Sequence, residues 1–300
     1  MKKLFYLLFF LQITLLFAQD VDANKTVFLS LDEALISSER VTQLNLRDQH
    51  LFVFPDTTKK LQYLQFLNLM LNKIEFIDSS LFHLEDLEIL ILRQNAIKFI
   101  PEKIKNLNKL KKLDIAVNKL SNIPDEIGRL KKLQYLYLSL NGITSLPETI
   151  GKCKNIEFLE LDNNQLSNLP DSFFKLKKLK TLKLSGNQFY EIDDKWLNLK
   201  SLKELNLDNN KLYSLPKNLN ELKNLEVLIV NDNLLNELPE SIINLEKLVF
   251  LSLGNNNIKK LPQEISQLKN LKTLILAGNP IDNVEQKRIR DALPNCAIYF

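Results

Sequence analysis

The sequence predicts an α/β solenoid: about eleven 23-residue repeats stacked into a horseshoe, with a parallel sheet on the concave side and 3₁₀ or short-helix returns on the convex side. Three observations predict it. Gln49, Asn72, Asn95, Asn118, Asn141, Asn164, Asn187, Asn210, Asn233, Asn256 and Asn279 follow one another at 23-residue intervals without insertion or deletion. Each closes the pattern L-x-x-L-x-L-x-x-N, as in the run from Leu133 through Leu136 and Leu138 to Asn141. A proline stands six residues after most of them, at Pro55, Pro101, Pro124, Pro147, Pro170, Pro216, Pro239 and Pro262.

Each part of the repeat follows from its residues. Alternation with period two makes the first part a short strand. In the run from Leu179 to Leu184, Leu182 and Leu184 point inward while Thr181, Lys183 and Ser185 point out. The asparagine then turns the chain, and its amide can donate and accept at once, so a ladder from Asn72 to Asn279 can satisfy backbone groups buried by the turns. Proline fixes φ and lacks an N–H, which suits an irregular return. Apolar residues at three-residue spacing, such as Ile104, Leu107 and Leu110, fit a 3₁₀ or single-turn return. Stacking hides roughly seven aliphatic side chains per repeat, at roughly 1.5–3 kcal/mol each before entropy is subtracted.

The ends read differently. Lys2 and Lys3 precede an apolar run from Leu4 to Ala18 that is short for a membrane span and fits a signal peptide over residues 1–18. Leu16-Phe-Ala18 and Val21-Asp-Ala23 are the cleavage candidates, and an uncleaved anchor is the other reading. Residues 19–40 form an N-terminal helical cap, with Ser30 to Glu33 as a capping box and Leu31, Ala34 and Leu35 facing the first repeat. Repeats occupy 41–284. A C-terminal cap over 285–300 holds a helix from Glu285 to Leu293; Leu293, Cys296 and Ile298 then repeat the strand spacing one residue early as an edge strand.

The L-P-x-x-I-x-x-L return and the 23-residue period resemble the leucine-rich repeat family over residues 41–300, in the subclass shared by Ras-associated scaffolds, plant intracellular repeat proteins and many bacterial proteins. The ending from Ala277 through Pro294 to Phe300 is similar to the terminal caps of leptospiral secreted leucine-rich repeat proteins, and the lysine-, asparagine- and leucine-heavy composition looks leptospiral as well. The resemblance implies a horseshoe and protein–protein recognition, and it supplies no partner.

No catalytic chemistry is legible. There is no nucleophile elbow, no Walker loop and only six glycines. His50 and His83 lie in returns without a cysteine or carboxylate at metal-ligand spacing, so no metal and no cofactor is expected. Cys153 occupies a core leucine position and Cys296 the last strand, about six repeats or on the order of 30 Å apart, too far for a disulfide. A net charge of +4 is too mild to indicate nucleic acid, and no small-molecule substrate is expected.

Binding chemistry is carried by the outward strand positions. Phe66, Met70, Ile89, Ile91, Tyr135, Tyr137 and Phe158 are expected as an exposed apolar patch, with Arg93 beside it and Glu160, Asp162, Glu204 and Asp208 as an acidic band interrupted by Lys183. Mutual stabilisation of rings on adjacent strands is the bland alternative. Lys131, Lys154, Lys177, Lys200, Lys223 and Lys269 share one repeat position on the opposite flank, widened by Lys132 and Lys178. The expected function is a non-enzymatic, secreted or envelope-associated bacterial module that binds a partner protein in its concave face, a host surface protein being one candidate. The alternatives are an envelope-organising protein meeting anionic surfaces through the lysine stripe, and an intracellular scaffold for a small GTPase.

Overall fold

The computed structural model describes residues 21–300, so the expected signal segment lies outside the described residues. Thirteen short strands form one all-parallel sheet in strict chain order. They are β1 (Val27–Phe28), β2 (Gln43–Asn45), β3 (Phe66–Asn68), β4 (Ile89–Ile91), β5 (Lys112–Asp114), β6 (Tyr135–Tyr137), β7 (Phe158–Glu160), β8 (Thr181–Lys183), β9 (Glu204–Asn206), β10 (Val227–Ile229), β11 (Phe250–Ser252), β12 (Thr273–Ile275) and β13 (Ala297–Tyr299). From β2 to β12 the register advances by one repeat per strand, as in Leu136 against Leu159 and Leu159 against Leu182. The predicted α/β solenoid is the observed fold.

The core is the sum of the repeats. In one of them Leu133, Leu136, Leu138, Ile143, Leu146, Ile150 and Cys153 are all buried. The asparagine ladder is continuous from Asn72 to Asn279. Asn164 is typical: its Oδ1 accepts from Ile143 N at 3.1 Å, and its Nδ2 donates to Leu138 O at 3.1 Å and Leu161 O at 2.9 Å. One amide thus ties its own turn to the preceding repeat. The residue before each ladder asparagine is left-handed, including Val117 at φ 57° and Leu140 at φ 55°. Side chains other than glycine or asparagine resist that conformation, so the ladder holds strained turns in place.

The returns are 3₁₀ turns such as Glu102–Asn106, Asp125–Arg129, Glu148–Lys152 and Asp171–Lys175. Proline precedes most of them with φ near −65°. Where proline is absent, an aspartate replaces its rigidity with a hydrogen bond: Asp78 Oδ1 accepts from Ser80 N at 2.8 Å, and Asp193 Oδ1 from Lys195 N at 2.9 Å.

At the N-terminal end, α1 (Leu31–Ile36) and the unforeseen strand β1 cover the first repeat; Phe28, Leu31 and Leu35 pack against the core and Ala34 is buried. Ser30 precedes the helix in an extended conformation but makes no side-chain cap bond, so the expected capping box is not formed. At the other end, α2 (Asn283–Ala292) begins with Asp282 Oδ1 accepting from Glu285 N at 2.8 Å. Glu285 and Arg288 clamp it to the last return: Leu261 N donates to Glu285 Oε1 at 2.9 Å, and Arg288 Nη2 donates to Glu285 Oε1 at 2.7 Å and Leu261 O at 2.9 Å. The Arg288 guanidinium holds the Glu285 carboxyl below its ordinary range.

β13 is an edge strand as expected, but its register differs. Ile298 pairs with Leu274 and Tyr299 with Ile275, so the last strand enters one residue late rather than early. Cys296 therefore does not occupy a strand leucine position. Ile298 and Phe300 pack on the core, and Arg290 lies 4.8 Å over the Phe300 ring. Cys153 is buried and Cys296 half-buried, both free thiols.

Candidate binding face

The strand positions that point away from the core form the concave face, and the structure divides them. Of the residues expected as an exposed patch, only Tyr135 is clearly open, at 37% of its full accessibility. Met70, Ile89, Arg93, Phe158, Glu160 and Asp162 are half-buried. Phe66, Ile91 and Tyr137 are buried, at 5%, 1% and 8%, so the expectation that they are exposed is corrected. Adjacent strands stand about 4.8 Å apart, and long side chains on neighbouring strands of a concave sheet lie over one another, as Phe158 and Lys112 do over Tyr137.

Tyr137 and Phe158 stack with centroids 4.9 Å apart. Lys112 Nζ lies 5.2 Å from the Tyr137 ring centroid and Lys183 Nζ 5.5 Å from that of Phe158. This row of cation, ring, ring and cation runs across four strands and stabilises the sheet from its outer side. Tyr137 is thus closed in against Phe158, while Tyr135 and Phe158 keep accessible surface.

Charged residues on this face are unusually dry. Lys112 and Asp114 are buried, and Arg93 Nη1 stands 3.9 Å from Asp114 Oδ1. Burial pushes the Asp114 carboxyl up to about 6 against the pull of Arg93. In the acidic band, burial and then the neighbouring Glu160 raise Asp162 to about 7, although Ser185 N donates to its Oδ1 at 2.7 Å. Burial also raises Asp208, whose Oδ1 is enclosed without a hydrogen-bond partner. The expected acidic band is present across β7 to β9, with Lys183 drawn aside over Phe158.

Among the described residues no group of histidine, cysteine or carboxylate side chains could hold a metal ion, and no helix is long and apolar enough to cross a membrane. His50 and His83 are exposed.

An exposed apolar strip was missed. Phe52, Val53, Phe76 and Phe99 line one flank of the first repeats, with Phe76 and Phe99 centroids 5.7 Å apart. Lys73 and Lys98 each place Nζ 5.2 Å from a ring centroid, over Phe52 and Phe76 respectively. Aligning the repeats would have found it: the place four residues after the asparagine holds Phe76 and Phe99 early, then Asn122, Ser145, Asn168 and Glu191.

A leucine-rich repeat region model matches residues 118–209 and 193–279, and a leucine rich repeat model matches 62–120 and 87–143. The chain belongs to the leucine-rich repeat family. Leucine-rich repeat domains are typically protein–protein interaction modules and generally non-catalytic scaffolds. A leucine-rich repeat protein of Leptospira interrogans is 30% identical over 92% of this chain and 100% of its own, with a TM-score of 0.48. The leucine-rich repeat ectodomain of the Arabidopsis thaliana receptor kinase GASSHO1/SCHENGEN3, solved in complex with Casparian strip integrity factor 2, is 27% identical over 86% of this chain, with a TM-score of 0.72. This chain spans 35% of that ectodomain's length. The functional domain of InlJ from Listeria monocytogenes shares the fold at 23% identity, over 85% of this chain and 52% of its own, with a TM-score of 0.71. No curated protein matches the chain.

Proposed function

We propose that this leucine-rich repeat protein is a non-enzymatic recognition module, secreted or held at the cell envelope, that binds a partner protein in its concave face. The observation that carries this reading is the accessible edge of Tyr135 and Phe158 beside carboxylates kept in a dry environment. Aromatic rings bordered by a desolvated charged rim suit an interface anchor, and shifted carboxylates cluster at functional sites more often than elsewhere. The binding centre is Tyr135, Phe158, Glu160 and Asp162, with Met70, Ile89 and Arg93 along the same face. Tyr137 packs against Phe158 at this centre, and Phe66 and Ile91 lie buried on β3 and β4 of the same sheet. The plant ectodomain solved with its partner is consistent with a repeat horseshoe of this kind engaging another chain.

Export rests on Lys2, Lys3 and the apolar run from Leu4 to Ala18. Mass spectrometry of the native protein should give an N-terminus near Gln19 or Asn24, and an intact Met1 in a cytosolic fraction would overturn it. The partner is sought by capture on immobilised residues 19–300 from host surface extracts and from extracts of the producing cells; the leptospiral resemblance of the terminal cap makes the host extract the first choice. Tyr135→Ala with Phe158→Ala should lower affinity for the captured protein at least about tenfold, or about 1.4 kcal/mol. Unchanged affinity in a folded variant would remove the concave face from the interaction.

A further inference from the structure

Three successive 3₁₀ returns on the convex side, Asp125–Arg129, Glu148–Lys152 and Asp171–Lys175, approach each other more closely than a side chain would permit. A Cβ on Gly128 would lie 2.5 Å from Thr149 O, and one on Gly151 would lie 2.1 Å from Ser172 O. The same pairs are bonded across the gap. Thr149 Oγ1 donates to Asp125 O at 2.7 Å, Ser172 Oγ donates to Glu148 O, and Ser172 N donates to Glu148 Oε2 at 3.1 Å.

This fixed platform floors a groove of about 680 Å³ lined by Lys131, Glu148, Lys152, Lys154, Ser172 and Lys175, with Gly151. Four ammonium groups face one carboxylate, and that carboxylate already accepts from Ser172 N. Lys131 Nζ is held by Gly128 O at 2.6 Å and Lys152 O at 3.2 Å. Lys152, Lys154 and Lys175 make no ion pair among the described residues. Several lysines elsewhere on the solenoid are neutralised by carboxylates one repeat away, as in Lys98 with Glu75, Lys109 with Asp86, Lys111 with Glu88 and Lys203 with Glu226, at 2.6 to 2.8 Å.

We infer that this lysine groove is a second binding site, for a sulfated polysaccharide. Its form selects among polyanions. Point-charge ammonium groups without an arginine fork suit repeated sulfates rather than one planar, bidentate group. Among the described residues no aromatic ring lines the groove on which the bases of a single-stranded nucleic acid could stack. Among the described residues no large apolar side chain lines it to enter a bilayer, and a groove admits a linear polymer better than a flat membrane.

The test is calorimetric titration with a heparin-derived oligosaccharide at about 0.15 M salt, where isolated surface charges are largely screened. The variant Lys152→Ser/Lys154→Ser/Lys175→Ser is compared with Lys109→Ser/Lys111→Ser/Lys203→Ser, which removes equal charge from ion-paired positions. The groove variant should lose at least about tenfold in affinity and the control less than about threefold. Equal losses would mean that net charge alone is sensed and would overturn the site. So would absence of oligosaccharide binding, or groove-dependent binding of phosphatidylserine vesicles in its place.

Discussion

Replacing Asn164 by leucine tests the principle by which the repeats are joined. The side chain makes four hydrogen bonds: from Ile143 N at 3.1 Å, and to Leu138 O, Leu161 O and Asp162 O at 3.1, 2.9 and 3.3 Å. Their losses are not equivalent. Leu138 O still accepts from Asn141 Nδ2 at 3.0 Å, and Leu161 O from Asn187 Nδ2 at 3.0 Å. Ile143 N has no such substitute and becomes a buried orphan donor, which costs about 1–3 kcal/mol. Each carbonyl that keeps one bond out of two forfeits about 0.5–1.5 kcal/mol. Extra apolar volume at a buried polar turn recovers little, so the expected cost is roughly 3–5 kcal/mol, or about 6–15 °C in melting temperature at roughly 2–3 °C per kcal/mol. Hydrogen exchange localises the effect: amides of the repeats on either side, around Leu138–Ile143 and Leu161–Leu166, should lose protection first, because repeats are stabilised by neighbours. A melting temperature lowered by less than about 2 °C, or exchange that rises evenly along the chain, would refute the claim that each amide is the tie between its repeat and the one before.

Two further outcomes follow from the concave face. Tyr137→Ala should destabilise by about 2–3 kcal/mol in a thermal melt, because it removes a buried ring and its stack; a neutral result would mean that the row from Lys112 to Lys183 is incidental. Asp162→Asn should raise stability at pH 8 and leave it unchanged at pH 4. Its folded pKa, about 7, lies above its ordinary value of 3.8, so the folded state binds the extra proton between those values, stability falls as pH rises through that window, and the penalty is complete above pH 7. About three units would be about 4 kcal/mol at most, and relaxation of Glu160 and Glu204 reduces the expected gain to about 2. A melting temperature unchanged at pH 8 would show that Asp162 is solvated.

The solenoid was legible because its signal is spread over the chain. Each asparagine, proline and leucine is uninformative alone, yet the fixed interval multiplies them into one pattern. The caps were legible only in part, because no period constrains them. Ser30 and Glu33 have the right types for a capping box, but the short helix sets the Ser30 side chain without its bond. Leu293, Cys296 and Ile298 match the strand spacing, but the helix from Asn283 to Ala292 takes up chain differently from a 3₁₀ return, and Ile298 meets Leu274 two places from the expected pairing. The clamp between Glu285 and Arg288 joins residues on one helix to the backbone at Leu261, a contact that no local pattern encodes.

The concave face was misread for a physical reason that also restricts where binding can occur. Alternation tells which side of a strand a residue faces; it does not tell whether that side is open. On this sheet the answer depends on the neighbours one repeat away. Ile91 is closed in although it points away from the core, and Tyr135, two residues before buried Tyr137 on the same strand, remains open. Side chains on neighbouring strands therefore consume exposure unevenly: Tyr135 and Phe158, paired directly across β6 and β7, keep accessible surface, while Tyr137, under the Phe158 ring, does not. The acidic band follows the same logic with the opposite energetic sign. Crowding that shelters a ring stabilises it, whereas crowding that shelters Asp162 beside Glu160 leaves its charge poorly solvated. A basic group of a partner placed against this band would supply the counter-charge that the sheet itself does not. The gain on docking would be greatest above pH 7, where Asp162 is ionised, and would fall as the pH drops and the carboxyl takes up its proton.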